Sequence, residues 1–354
     1  HREVRYLMSP LNILSAGYAY ASDELQTVPE FKHLALDAVK IVPAVVNTRP
    51  KVQVIIVGET ARAANFSLGG YARATNPRLA LQPVIYFSQT ASCGTATAES
   101  LPCMFSLQGR ADFDRERSAS QDNLLDIAAR VGYDVLWLDN GNSCKKVCAR
   151  VTSRDLHLSK SADLCRDEEC FDEVLVRELE KVLADVTQDT LIVLHQMGSH
   201  GPAYSRRYPE NFAVFGPECT AADLGECDQA QIKNAYDNTI VYTDHVIDQA
   251  IRALTANNDK LDSALIYASD HGESLGEHGL YLHGMPYRLA PSEQTHVPML
   301  TWFSPGFAQR EGLTGNCTRQ LAEAPVSHDF LFHTTLALLG IRTAVYQPSL
   351  DLFA

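Results

Sequence analysis

The sequence predicts an α/β fold: a mostly parallel central sheet with helices on both faces. Three observations carry this. Short, nearly continuous runs of β-branched and aliphatic residues recur along the chain. Amphipathic segments of helical spacing separate them. The length, 354 residues with 45% apolar, suffices for one large core. Taken in order, Val52–Val57 (VQVIIV) is a strand buried on both faces, and Val84–Phe87 is a second. Ser120–Val131 (SQDNLLDIAARV) spaces its apolar residues as a helix does, and Asp134–Leu138 (DVLWL) returns to strand. Phe171–Val186 (FDEVLVRELEKVLADV) is helical, Leu191–Leu194 is a strand, and Gln229–Leu254 is a long helix. Ala264–Ala268 (ALIYA) and Val297–Trp302 complete the set of strands. Residues 1–50 read as a leading arm and 51–354 as the folded domain, with loop-rich stretches at Cys144–Cys170 and Tyr208–Cys227. In such sheets, sites form beyond the carboxyl ends of the strands.

The net charge is −13 with a pI near 5.3. No long Lys/Arg run is present, which argues against a nucleic-acid partner. An anionic substrate must then be met by a local positive charge, and a bound metal is the simplest source. Eight of the nine cysteines fall into close pairs: Cys93/Cys103, Cys144/Cys148, Cys165/Cys170 and Cys219/Cys227, with Cys317 left over. No C-x-x-C pair supports a zinc ribbon, so local disulfides in an oxidising compartment are expected. No run of about 18 apolar residues could span a bilayer. The chain begins at His1 without an initiator Met, which predicts a fragment or processed product.

The motifs that carry chemistry follow strands. After VQVIIV stands Gly58-Glu59-Thr60, a carboxylate at the sheet's carboxyl edge. After ALIYA stands SDHGESLGEHGLYLHG, where Asp270 and His271 can give an oxygen and an imidazole to one cation. Glu273, Glu277, His278 and His283 crowd the same segment. Leu194-His195-Gln196-Met197-Gly198-Ser199-His200 also follows a strand; His200, in the loop, is the better site candidate, and His195 fits either core or site. In SCGTATAESLPC (Ser92–Cys103), Thr95 or Thr97 would lie at a helix N-terminus, where free N–H groups cradle a phosphoryl oxyanion. A threonine hydroxyl becomes a nucleophile when a metal lowers its pKa, and a Cys93–Cys103 bridge would hold it in register.

VGETAR, SCGTATAESLPCMFS, GSHGP and SDHGESLGEHGLYLHG, in this order, resemble the signature segments of the lipid A phosphoethanolamine transferases. That group includes the mobile colistin-resistance enzymes and lies in the alkaline phosphatase/sulfatase superfamily. The resemblance implies zinc held by Glu59, Thr97, Asp270 and His271, with Thr97 also the nucleophile because it stands four residues after Cys93. It implies that His200 and His283 bind a second zinc or the substrate, that Lys145 (in DNGNSCK) lies near the phosphoethanolamine site, and that Glu273 lies near the metal. Family members carry an N-terminal transmembrane bundle. This chain would then be the catalytic domain on the periplasmic face of the bacterial inner membrane, with Arg2–Ser22 as linker.

The expected reaction transfers phosphoethanolamine from phosphatidylethanolamine to a lipid A phosphate through a phosphothreonine-type adduct. The first step needs a proton donor, and His200 or His283 could serve. The product would bind polymyxin and colistin less well. A sulfatase would need Cys/Ser-x-Pro-x-Arg, and Pro102-Cys103-Met104 does not supply it. A zinc phosphohydrolase, a transferase acting on another envelope glycan, and a metal-stabilised binding module are the alternatives.

Overall fold

The computed structural model describes residues 30–41, 49–141, 143–157, 161, 163–166, 169–313 and 322–354. Cys317 and Arg2–Ser22 lie outside them. His1–Lys32 separates from His33–Ala354 as a unit of its own, and the fold is that of the second unit.

The VQVIIV run lies inside β1 (Lys51–Gly58), every residue of which is buried. β2 spans Ile85–Ala91 and β3 Asp134–Asp139; β4, a short exposed strand, spans Thr152–Asp155. β5 is Thr190–His195 and β6 Asp262–Ser269, both fully buried. β7 is His296–Phe303 and β8 Val326–Ser327. They form one sheet in the order β8-β2-β7-β6-β1-β5-β3-β4. All run the same way except β7, which is antiparallel to β2 and β6 on either side.

Side chains alternate across β1, and this alternation builds two cores. Val52, Val54 and Ile56 face one, with Leu175, Leu179 and Leu183 and with Ile240, Ile247 and Ile251. Ile55 and Val57 face the other, with Leu101, Leu124, Phe332 and Leu336. Five helices supply these residues: α1 (Thr97–Met104), α2 (Leu124–Arg130), α3 (Glu173–Asp185), α4 (Gln229–Thr255) and α5 (Asp329–Leu339). So α3 and α4 cover one face, and α1, α2 and α5 the other. α2 starts four residues later than Ser120 because Asn123 and Asp126 close a capping box across its first turn. α4 is capped in the same way by Asp228 and Gln231.

Disulfides join Cys93 to Cys103, Cys144 to Cys148, Cys165 to Cys170 and Cys219 to Cys227. Among the described residues, no helix is long and apolar enough to cross a membrane.

Candidate active site

The register of the central strands assembles the site. Gly58 stands opposite Ser269, and Val57 opposite both Ala268 and His195. The residues that follow therefore emerge side by side. Asp270 N donates to Gly58 O (2.9 Å), Gln196 N to Val57 O (3.0 Å) and Ser199 N to Glu59 O (2.9 Å). Thr60 turns the chain with φ 61°, a left-handed conformation that costs a non-glycine residue about 1–2 kcal/mol. That turn brings Thr60 N to Asp270 Oδ1 (3.2 Å) and Thr60 Oγ1 to Glu59 Oε1 (2.5 Å). Gly198 is also left-handed (φ 53°), and it packs on Glu59 so closely that a Cβ would stand 2.6 Å from Glu59 O.

Thr97 is the first residue of α1. Its Oγ1 donates to Glu59 Oε2 (3.0 Å) and lies 3.3 Å from His271 Nε2. Thr95 is committed elsewhere: its hydroxyl donates to Met285 O at 2.6 Å. The geometry thus separates the two threonines that the local sequence left equivalent. The Cys93–Cys103 bridge ties the preceding turn to the end of α1. Cys93 N donates to His328 Nδ1 (3.0 Å), and the Ser100 hydroxyl donates to Asp270 O, so the turn before the helix and the helix itself are both anchored.

Glu59, Asp270 and His271 are all buried, and one donor atom from each lies within 4.8 Å of the others. His271 Nδ1 donates to Gly272 O (2.9 Å), which fixes the ring with Nε2 toward the carboxylates. Nε2 is 3.3 Å from Glu59 Oε1 and 3.5 Å from Asp270 Oδ2. Asp270 Oδ2 is buried and has no hydrogen-bond partner among the described residues. Donors held about 2.0–2.1 Å from a tetrahedral zinc stand about 3.3–3.4 Å from one another. His271 Nε2 stands at about that edge length from Thr97 Oγ1 (3.3 Å), Glu59 Oε1 (3.3 Å) and Asp270 Oδ2 (3.5 Å), and the second Glu59 oxygen lies 3.0 Å from Thr97 Oγ1. Glu59, Thr97, Asp270 and His271 therefore fit a zinc ion.

The electrostatics agree. Burial and the neighbouring Glu59 charge push Asp270 up to about 6. Burial opposes the charge on His271, yet Asp270 and Glu59 raise it to about 10. Glu59 is disfavoured by burial too, but its bond to His271 and that residue's charge hold it well below the usual carboxylate range. The pocket holds more negative charge than its surroundings offset, and this is the field a cation needs.

Glu273, fully buried, accepts from Tyr204 OH (2.7 Å) and from His283 Nδ1 (2.7 Å). The ring of His283 lies 4.4 Å from that of His271 and 6.0 Å from that of His200. Burial pushes His200 below its ordinary pKa. Lys145 stands in the loop after β3, on the Cys144–Cys148 turn, and donates to Ser143 Oγ (3.3 Å). His195 is a buried core residue joined to Asp139 Oδ1 (3.1 Å), and His278 is exposed. Glu277 accepts from Arg62 (2.7 Å), which also donates to Glu273 O (3.1 Å).

Sequence reasoning missed several supports. Asp172 accepts from Met197 N (2.8 Å) and Gly198 N (2.9 Å) and so shapes the turn beneath Glu59. Thr60 and Arg62 lie within VGETAR but their partners are distant, and Tyr204 and His328 act across long separations, although His328 does follow a strand.

The sulfatase family model matches residues 51–341. Phosphoethanolamine transferase EptA of Salmonella typhimurium is 45% identical over 347 residues, covering 98% of this chain and 63% of that protein. Phosphatidylethanolamine transferase Mcr-1 of Escherichia coli is 38% identical, covering 96% of this chain and 63% of its own length. The chain thus spans a little under two thirds of these relatives. The crystal structure of the soluble domain of lipooligosaccharide phosphoethanolamine transferase A from Neisseria meningitidis superposes with a TM-score of 0.89 at 43% identity, over 93% of this chain and 98% of that one.

Proposed function

Because the chain belongs to the sulfatase family, in its group of phosphoethanolamine transferase domains, we propose that it moves phosphoethanolamine from phosphatidylethanolamine to a phosphate of lipid A, with Thr97 as the nucleophile. The observation that carries the proposal is the position of Thr97 Oγ1, 3.0 Å from Glu59 and 3.3 Å from His271 at the start of a helix.

The threonine hydroxyl points its proton at Glu59 Oε2. Its oxygen adds to the donor phosphorus, the P–O bond to diacylglycerol breaks, and the departing alcohol takes a proton. His283 is placed to give that proton, because Glu273 holds its Nδ1–H and turns Nε2 outward. His200, kept neutral by burial, suits hydrogen bonding better than proton donation. The free N–H groups of α1 receive the phosphoryl oxygens. An acceptor phosphate oxygen then attacks the same phosphorus, and Thr97 leaves with its proton restored. A zinc ion held by Glu59, Thr97, Asp270 and His271 would lower the hydroxyl pKa and draw charge from the phosphoryl oxygens. Lys145 would supply positive charge to the bound headgroup.

This reading places the domain at the periplasmic face of the inner membrane, where its four disulfides would form and persist. The added ammonium would offset lipid A charge and weaken binding of cationic polymyxins such as colistin. The test is mass analysis of the chain after incubation with zinc and phosphatidylethanolamine. The unsubstituted chain should gain one phosphoethanolamine on Thr97, and Thr97→Ala none. An equal adduct yield in Thr97→Ala would remove that residue from the role. Free ethanolamine phosphate as the main product, with acceptor present, would replace transfer by hydrolysis.

A further inference from the structure

Beside the Thr97 site the structure carries a cavity of ≈ 660 Å³, lined by Arg166, Phe171, Met197, Arg206, Arg207 and Tyr208 among others. It adjoins the site through the turn after β5. Met197 lines it, and Met197 O accepts from His200 N (3.2 Å). The Cys165–Cys170 bridge holds the hairpin that presents Arg166 and Glu169.

Three arginines line this cavity in a chain whose net charge is −13, and Arg166 and Arg206 are the exposed ones. Its two described carboxylates are already engaged. Asp172 accepts from Asn140 Nδ2, Met197 N and Gly198 N. Glu169 takes the fork of Arg207 at 3.1 and 3.3 Å. The Arg207 side chain is 8% exposed, and its Nε is buried with no hydrogen-bond partner. No carboxylate among the described residues pairs with Arg166 or Arg206; Asp167 and Glu168 of the same hairpin lie outside those residues. Arg166 instead lies over the Phe171 ring, 5.4 Å from its centroid.

A cavity of this size takes a ligand of one or two sugar rings. Guanidinium groups recognise phosphate through paired N–H donors. Phosphatidylethanolamine presents its phosphate to Thr97, which leaves an ammonium that these arginines repel, and an acyl chain would strip water from Arg166 and Arg206 without replacing it. We propose that this cavity is a subsite for a phosphorylated sugar of the acceptor, holding it while another phosphate reacts at Thr97. The proposal rests on the transferase reading for the identity of its ligand.

The test titrates the whole chain, zinc present, with glucose 1-phosphate, inorganic phosphate and glucose by calorimetry. Glucose 1-phosphate should bind more tightly than either part. The double variant Arg166→Ala/Arg206→Ala should weaken that binding about tenfold or more and raise the acceptor KM by a similar factor. Arg206→Glu should weaken it at least as much as neutralisation does, and Arg206→Lys should fall between, because an ammonium keeps the charge and loses the paired donors. Thermal unfolding midpoints check that each variant is folded. Unchanged glucose 1-phosphate affinity in the double variant and in Arg206→Glu would overturn the subsite. The phosphoethanolamine adduct, measured on the unsubstituted chain, separates the two readings. Its absence would sink the transferase reading, while the titration would still decide the cavity.

Discussion

Gly198→Ala tests how Glu59 is held. Two costs follow from the structure. The backbone at 198 has φ 53°, where an alanine loses about 1–2 kcal/mol relative to glycine. The new Cβ would stand 2.6 Å from Glu59 O, 2.9 Å from Glu59 N and 3.1 Å from Glu59 Cβ. Ordinary contact begins at 3.4 Å, so the turn or the end of β1 must move by about 0.8 Å. Backbone meets backbone here, and overpacking of this kind costs about 1–3 kcal/mol. The total is about 2–5 kcal/mol of stability, read by urea denaturation. Glu59 bonds Thr97 at 3.0 Å, so the displacement passes directly to the proposed nucleophile. A misplacement near 1 Å costs about a hundredfold in rate. Gly70→Ala is the internal control: φ is 96°, but nothing lies within 4 Å of the added Cβ. It should lose about 1 kcal/mol and keep full transfer. Gly198→Ala with the same small loss and undiminished transfer would refute the packing argument for Glu59.

Three further outcomes are expected. Glu273→Gln should keep the Tyr204 contact as acceptor but weaken the charged bond to His283, lowering kcat by about 10–100-fold and moving the alkaline limb of the pH–rate profile to lower pH; an unchanged profile would deny His283 its proton-donor role. Chelation should abolish transfer and lower the thermal midpoint, and zinc at about 100 times its Kd should restore about 2.7 kcal/mol of stability; full turnover in metal-free protein would defeat the zinc assignment. Burial pushes Asp244 up to about 6, above its unfolded value of 3.8, so its contribution to stability is complete below about pH 4 and falls as pH rises through 6. The fall amounts to about 3 kcal/mol, and urea curves from pH 4 to 7 should show a shallower decline for Asp244→Asn; parallel declines would contradict it.

Much of the site was legible in the chain. Glu59, Asp270 and His200 announce themselves because each follows a buried apolar run, and a parallel sheet sends all such ends to one edge. The cysteine pairs were legible for a similar reason, since partners four to ten residues apart meet in local loops. The reversed direction of β7 was not legible, because an apolar run carries no sign of its polarity in the sheet.

Residue types and their order therefore determined the sheet, its loaded edge and the list of candidate groups. Tertiary structure decided which of them act together. Thr95 is removed from contention by a carbonyl 190 residues away, at Met285. Glu59 is fixed by a glycine, Gly198, that only the spatial neighbourhood of the Glu59 backbone requires to lack a Cβ. Glu273 becomes a support for His283 only when Tyr204 reaches it from another loop. Hydrogen-bond partners and steric room are properties of neighbours in space, and local sequence encodes only neighbours along the chain.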